Sequence, residues 1–281
     1  MKKVKLGLLA LLFTSSFFFI YINHAHAQIG QIWETIVGNP DLPQDPGTNP
    51  NTGNLPPSDQ LTCGDGADGV DIYLRREFGV VVVSGGSWPS WAYISGEFVP
   101  SAVRAGPVNC DIKKNIYGVM RRLSNSSNFI RVFKSDGIVN VRCYIVSTYQ
   151  GNMGVVEEDG DNIHYLNCPL ITPSSFYIFL HEMGHIIHRR NGRLLQLFDN
   201  NQLARLDPGC YDVRNGGYVL KSYALTPTYP KNESFGEAIA LYYYNSSSST
   251  YLYAQPIANF KQNCSNTYRW MRNNVYQYEF N

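Results

Sequence analysis

Charge is scarce in this 281-residue chain: Asp, Glu, Lys and Arg make up 16% of it and nearly cancel, at +1, where an ordinary soluble domain has roughly 25% charged residues. A nucleic-acid or other polyanion partner would need a basic surface that this balance does not supply. No internal repeat is visible, and no apolar run of membrane-spanning length follows residue 22. Cys-x-x-Cys pairs are also missing, which weakens any reading of the cysteines as a metal site. What the composition favours is tyrosine, present 20 times, so a catalytic cleft or an adhesive surface fits better than a solvated scaffold.

The first 27 residues have a basic start (Lys2, Lys3, Lys5), an apolar run from Leu6 to Ile22 and an Ala25-His26-Ala27 ending. This is the pattern of a secretory signal peptide over 1–27, with cleavage expected before Gln28. No cysteine stands at the cleavage point, so a lipid anchor is not expected. Residues 28–60 are rich in Pro, Asn and Gly and read as an extended linker. The folded domain is expected over 61–281. Its six cysteines, an even number in an exported chain, are expected in disulfides between local partners, such as Cys143 with Cys168 and Cys210 with Cys264. Four Asn-x-Ser triplets, at Asn125, Asn232, Asn245 and Asn263, match the glycosylation pattern but read as chance. A glycan at Asn232 would crowd Glu233, so bacterial export, to the periplasm or medium, is the expected route.

Within the domain, Val70–Phe78 reads as a short element and 80–83 as a strand. Ile112, Ile116, Val119, Met120 and Leu123 recur at helical spacing, which predicts a helix over about 108–123. Strand signals follow at 129–133, 138–147, 154–157 and 163–167, with a Lys134-Ser135-Asp136-Gly137 turn between the first two. The expected result is a small sheet just ahead of the most informative motif, with Met153–Glu158 as a candidate edge strand for an extended substrate.

That motif is His181-Glu182-Met183-Gly184-His185. Residues i and i+4 share a helix face, so His181 and His185 can hold one metal ion. Glu182, about 100° further round, stays out of the coordination shell but within reach of a water there, as a general base requires. Thr172 and Pro173 suit a helix start and Gly192 a stop, which predicts a helix over about 173–191. Phe176, Phe179, Leu180, Met183 and Ile187 would face the core, with Tyr177, His181, His185 and His188 on the other side.

A catalytic zinc ion normally takes three protein ligands and keeps one position open. The metzincin arrangement would need a histidine at 191 and a glycine at 188, where this chain has Asn191 and His188. His188 is badly placed to complete a tetrahedron from the same helix, so it reads as a surface residue or as support for a ligand. Asp207 and Asp212 are possible ligands with turn-like neighbours. Glu233 is the better candidate: it opens a predicted helix, Asn232–Tyr244, with Asn232 as N-cap and with Glu237 on the same face, able to hydrogen-bond a ligating histidine.

His181-Glu182-x-x-His185, Ser222-Tyr223-Ala224 and Glu233-Ser234-Phe235-Gly236-Glu237-Ala238 together resemble the catalytic domain of the anthrax lethal factor-like metallopeptidases, which include the secreted Pro-Pro endopeptidases. The resemblance spans about 175–245, with Gly236 where the family usually has alanine. It implies a zincin-like α+β domain, with a small sheet packed on the active-site helix and a largely helical C-terminal part. It further implies one Zn²⁺ per chain held by His181, His185 and Glu233, with Glu237 as a supporting carboxylate. Glu182 is then the base, and Tyr223, or alternatively Tyr229, supplies a transition-state hydroxyl. The expected activity is endopeptidase cleavage of a protein or peptide substrate by a secreted monomer that binds neither nucleic acid nor membrane. The rival expectation is an exported, catalytically silent binding or adhesion domain on the same fold.

Overall fold

The computed structural model describes residues 55–90, 103–146, 153–198, 230–246 and 260–280, apart from residues 65, 67, 68, 136, 158–160, 174 and 279, and adds Leu203, Leu206 and Asp207. The expected signal peptide, most of the linker, Cys210, Asp212, Tyr223 and Tyr229 lie outside the described residues.

The fold is mixed α/β, with one small sheet and helices. Helix α1 (Val70–Phe78) ends at Gly79, whose φ of 65° is the left-handed turn that feeds the chain into strand β1 (Val80–Ser84). Strand β2 (Val103–Ala105) precedes α2 (Cys110–Leu123), which the Asn109 side chain caps by accepting from Ile112 N. Helix α3 (Ser127–Phe133) leads to β3 (Val139–Val146), then β4 (Met153–Val156) and β5 (Asn162–Leu166). The sheet order is β1-β3-β5-β4: β1, β3 and β5 run parallel, β4 is antiparallel to β5, and β2 pairs antiparallel with the end of β3.

Strand alternation divides the sheet. Val80, Val82, Val139, Val141, Cys143, Ile163, Tyr165 and Val156 join the main core, whereas Trp88, Tyr144, Val146 and Leu166 form a smaller cluster of their own. On the core side lies α4 (Tyr177–Arg190), followed by α5 (Gly192–Leu197), then α6 (Pro230–Ser246), α7 (Phe260–Asn263) and α8 (Ser265–Met271), with a π-type turn over Arg272–Tyr276. Disulfides join Cys63 to Cys110 and Cys143 to Cys168, with Cα separations of 5.4 and 5.5 Å. The second ties β3 to the 3₁₀ turn after β5. Cys264 is also disulfide-bonded. No described helix is long and apolar enough to cross a membrane.

Several expectations need correction. Residues 129–133 form a helix, not a strand: Ser126 Oγ accepts from Phe129 N as an N-cap, and Phe129, Val132 and Phe133 are buried at helical spacing. The helix carrying His181 and His185 starts at Tyr177, because Thr172 closes a local turn instead, with its Oγ1 accepting from Ser175 N. The helix stops before Gly192, as expected, but Gly192 then opens a new helix, α5, with Asn191 Oδ1 accepting from Leu194 N. Helix α6 begins at Pro230, so Asn232 lies inside its first turn and is not the cap. Packing extends upstream of residue 61, where Pro56 O accepts from Tyr117 OH and Leu55 O from Arg121 Nε.

Candidate metal centre

Helix α4 is buried nearly all round, because the sheet covers one flank and α6 the other. Phe176, Phe179, Leu180, Met183 and Ile187 are at most 1% exposed, as their spacing predicts. Its opposite flank meets α6 at two glycines. A Cβ built on Gly184 would lie 2.7 Å from Gly236 Cα, and one on Gly236 would lie 3.0 Å from His181 O and 3.3 Å from His181 Nε2. This glycine crossing lets the helix bearing the histidines sit against the helix bearing the glutamates.

At the crossing, His181 Nε2 and His185 Nε2 are 3.0 Å apart. Glu233 reaches both, with one carboxylate oxygen 3.3 Å from His181 Nε2 and the other 3.5 Å from His185 Nε2. Ligand atoms around a tetrahedral zinc at ordinary bond lengths stand about 3.3 Å apart, so the donor set fits such an ion in both chemistry and spacing. His181, His185 and Glu233 are the only such group of three among the described residues.

The outer nitrogens are tied down. His181 Nδ1 lies 2.9 Å from Glu237 Oε2, whose other oxygen accepts from Tyr177 OH at 2.6 Å. His185 Nδ1 lies 2.9 Å from His188 Nε2. With both Nδ1 atoms facing partners, both Nε2 lone pairs can point to a shared ion. Among the three, Glu233 is the most open, its side chain 29% exposed, so the site faces outward on that side.

Glu182 is only 5% exposed and points toward β4. A Cβ built on Gly154 would overlap Glu182 Cγ and lie 2.8 Å from Cδ, so the glycine in this edge strand makes room for that carboxylate. Burial pushes the Glu182 pKa up, and the imidazoles of His185 and His181 only partly offset it. For Glu233, burial pushes upward too, but hydrogen bonds from His181 and His185 win and hold it well below the usual carboxylate range. Burial would lower His181, yet Glu233 and Glu237 carry it well above its ordinary value.

The candidates divide as follows. His181, His185 and Glu233 come together, Glu237 contacts His181, and Glu182 stands beside β4. Asp207 does not join them: it is 3% exposed, and its carboxylate accepts from Asn266 N and Nδ2 and from Thr267 N and Oγ1, capping α8. Sequence reasoning missed Gly154 and the Gly184–Gly236 contact, which depend on long-range packing, and the Tyr177–Glu237 bond. No family model, curated protein or solved structure matches the chain.

Proposed function

We propose that this protein is an exported zinc-dependent endopeptidase. The observation that carries the reading is the convergence of His181 Nε2, His185 Nε2 and a Glu233 carboxylate across two helices, with a buried glutamate one residue from the first histidine. His181, His185 and Glu233 would hold the ion. Zinc bound this way supplies Lewis acidity, making water a stronger acid and a peptide carbonyl a better electrophile.

The chain's own groups do the rest. Glu182, its pKa raised by burial, takes a proton from the attacking water and returns it to the departing amine. Glu237 accepts from His181 Nδ1 and keeps that ring in one tautomer, while the Tyr177 hydroxyl holds Glu237 in place. Strand β4, last in the sheet order and packed on Glu182 through Gly154, is the edge along which an extended peptide would pair. Tyr223 is proposed as the hydroxyl facing the developing oxyanion, on the lethal factor-like resemblance alone. Disulfides at Cys63–Cys110 and Cys143–Cys168 suit an oxidising compartment, and the basic and apolar N-terminus supports export.

A peptide library incubated with wild type and with Glu182→Gln tests the reading. Cleavage by wild type should fall by at least about 10²-fold in the variant, with zinc retained. Undiminished cleavage by the variant contradicts the scheme. No cleavage by a zinc-loaded wild type would favour a silent binding domain.

A further inference from the structure

His188 has no part in the ligand set, yet it is among the most buried polar residues described, 4% exposed on a helix that also carries two ligating histidines. One turn along α4, its ring stands at 87° to that of His185, with centroids 5.1 Å apart, and its Nε2 lies 2.9 Å from His185 Nδ1. The geometry points to His188 as the positioning residue for the second ligand. It accepts the Nδ1–H of His185 through Nε2 and so leaves His185 Nε2 unprotonated and aimed at the metal. This inference rests on the zinc reading proposed above.

A hydrogen bond between two neutral imidazoles needs one N–H and one lone pair. His185 Nε2 stands among the converging donors, 3.0 Å from His181 Nε2, and can offer a lone pair there only if the ring's single proton is on Nδ1. His188 Nε2 must then be the acceptor, with its own proton on Nδ1. His188 is buried, and its Nε2 stands 2.9 Å from His185 Nδ1, within hydrogen-bond reach for that acceptor role. The Phe235 ring packs against it in a T-shaped arrangement, centroids 5.9 Å apart at 89°.

The two ligating histidines are thus backed differently: His181 by a carboxylate, His185 by a neutral imidazole. A carboxylate in place of His188 would add a second negative charge behind the ligand set, alongside Glu237. An imidazole orients His185 without that charge, which leaves more of the ion's positive charge for a bound carbonyl.

The test uses the full chain with His188→Leu, which fills the space without an acceptor, and His188→Gln, whose amide oxygen can stand near the position of Nε2. Zinc dissociation constants come from chelator competition. The His185 tautomer is read by long-range ¹H–¹⁵N correlation on the metal-free protein. Wild type should show His185 as the Nδ1–H form. His188→Leu should lose that preference and bind zinc about 10- to 100-fold more weakly, with metal-free melting little changed. His188→Gln should keep both properties close to wild type. Wild-type affinity in His188→Leu, an equal loss in both variants, or an Nε2–H tautomer in wild type would overturn the assignment. Failure of wild type to bind zinc would refute the zinc reading instead, and the tautomer would still decide the role of His188. If His188→Leu does not fold, the wild-type tautomer and His188→Gln decide it.

Discussion

Replacing Gly184 by alanine adds one methyl group where the helix carrying the histidines touches the helix carrying the glutamates. On an exposed helix this change would stabilise by up to about 1 kcal/mol. Here the new Cβ would stand 2.7 Å from Gly236 Cα and 3.3 Å from Ile239 Cδ1. Ordinary carbon contacts begin near 3.5 Å, so α4 and α6 must part by roughly 0.8 Å. Both neighbours of this contact are site residues: His185 follows Gly184, and Gly236 lies between Glu233 and Glu237. A metal site tolerates ligand shifts of about 0.2 Å, so a separation of that size pulls Glu233 out of range of a zinc held by the two histidines. We expect zinc affinity to fall about 10- to 100-fold, and overpacking to cost about 1–3 kcal/mol before the helix-propensity gain. Gly236→Ala should cost less in packing, because its nearest contacts, His181 O at 3.0 Å and His181 Nε2 at 3.3 Å, are less close than the 2.7 Å at Gly184. Chelator competition and thermal melts of the two variants beside wild type measure both effects. A Gly184→Ala protein that is more stable than wild type and binds zinc as tightly would refute the glycine crossing.

Gly154→Ala should leave zinc content intact and lower turnover about 10- to 100-fold, since its Cβ would displace Glu182; loss of zinc with turnover would place Gly154 in metal binding instead. Zinc uptake should release about one proton per ion at pH 7, because zinc displaces the proton that Glu233 and Glu237 hold on His181 against burial. With the folded value raised, that proton stabilises the metal-free protein fully below about pH 6.5. This contribution is lost as pH rises through the raised value, so zinc affinity climbs over the same window. Calorimetry in two buffers of different ionisation enthalpy checks this, and zero protons released would contradict it. Asp207→Ala should cost about 1–2 kcal/mol by uncapping α8 while zinc binding is unchanged; zinc loss without a change in melting would restore Asp207 as a ligand.

Local patterns carried much of this structure. The helical spacing from Ile112 to Leu123, three of the four strands expected after it and the apolar side of α4 correspond to observed elements, because each rests on a periodicity that burial enforces. The errors came where a short window holds no period. Residues 129–133 are as apolar as a strand, and only the Ser126 cap marks them as a helix. Thr172 and Pro173 look like a helix start, but the threonine bonds Ser175 N first. Glu233 and Glu237 could be paired with the histidines from i, i+4 spacing and family resemblance. The means of their approach could not be read, since two glycines 52 positions apart have no local signature. Asp207 reads as a possible ligand in the sequence because the groups that occupy it, Asn266 N and Thr267 N, lie some sixty residues downstream.

Zinc content by elemental analysis, on wild type beside Glu233→Ala and His181→Ala, tests the central claim most directly. The account predicts one zinc per chain in wild type, and its loss or strong weakening in both variants. Full zinc retained by Glu233→Ala, or none in wild type, would contradict it.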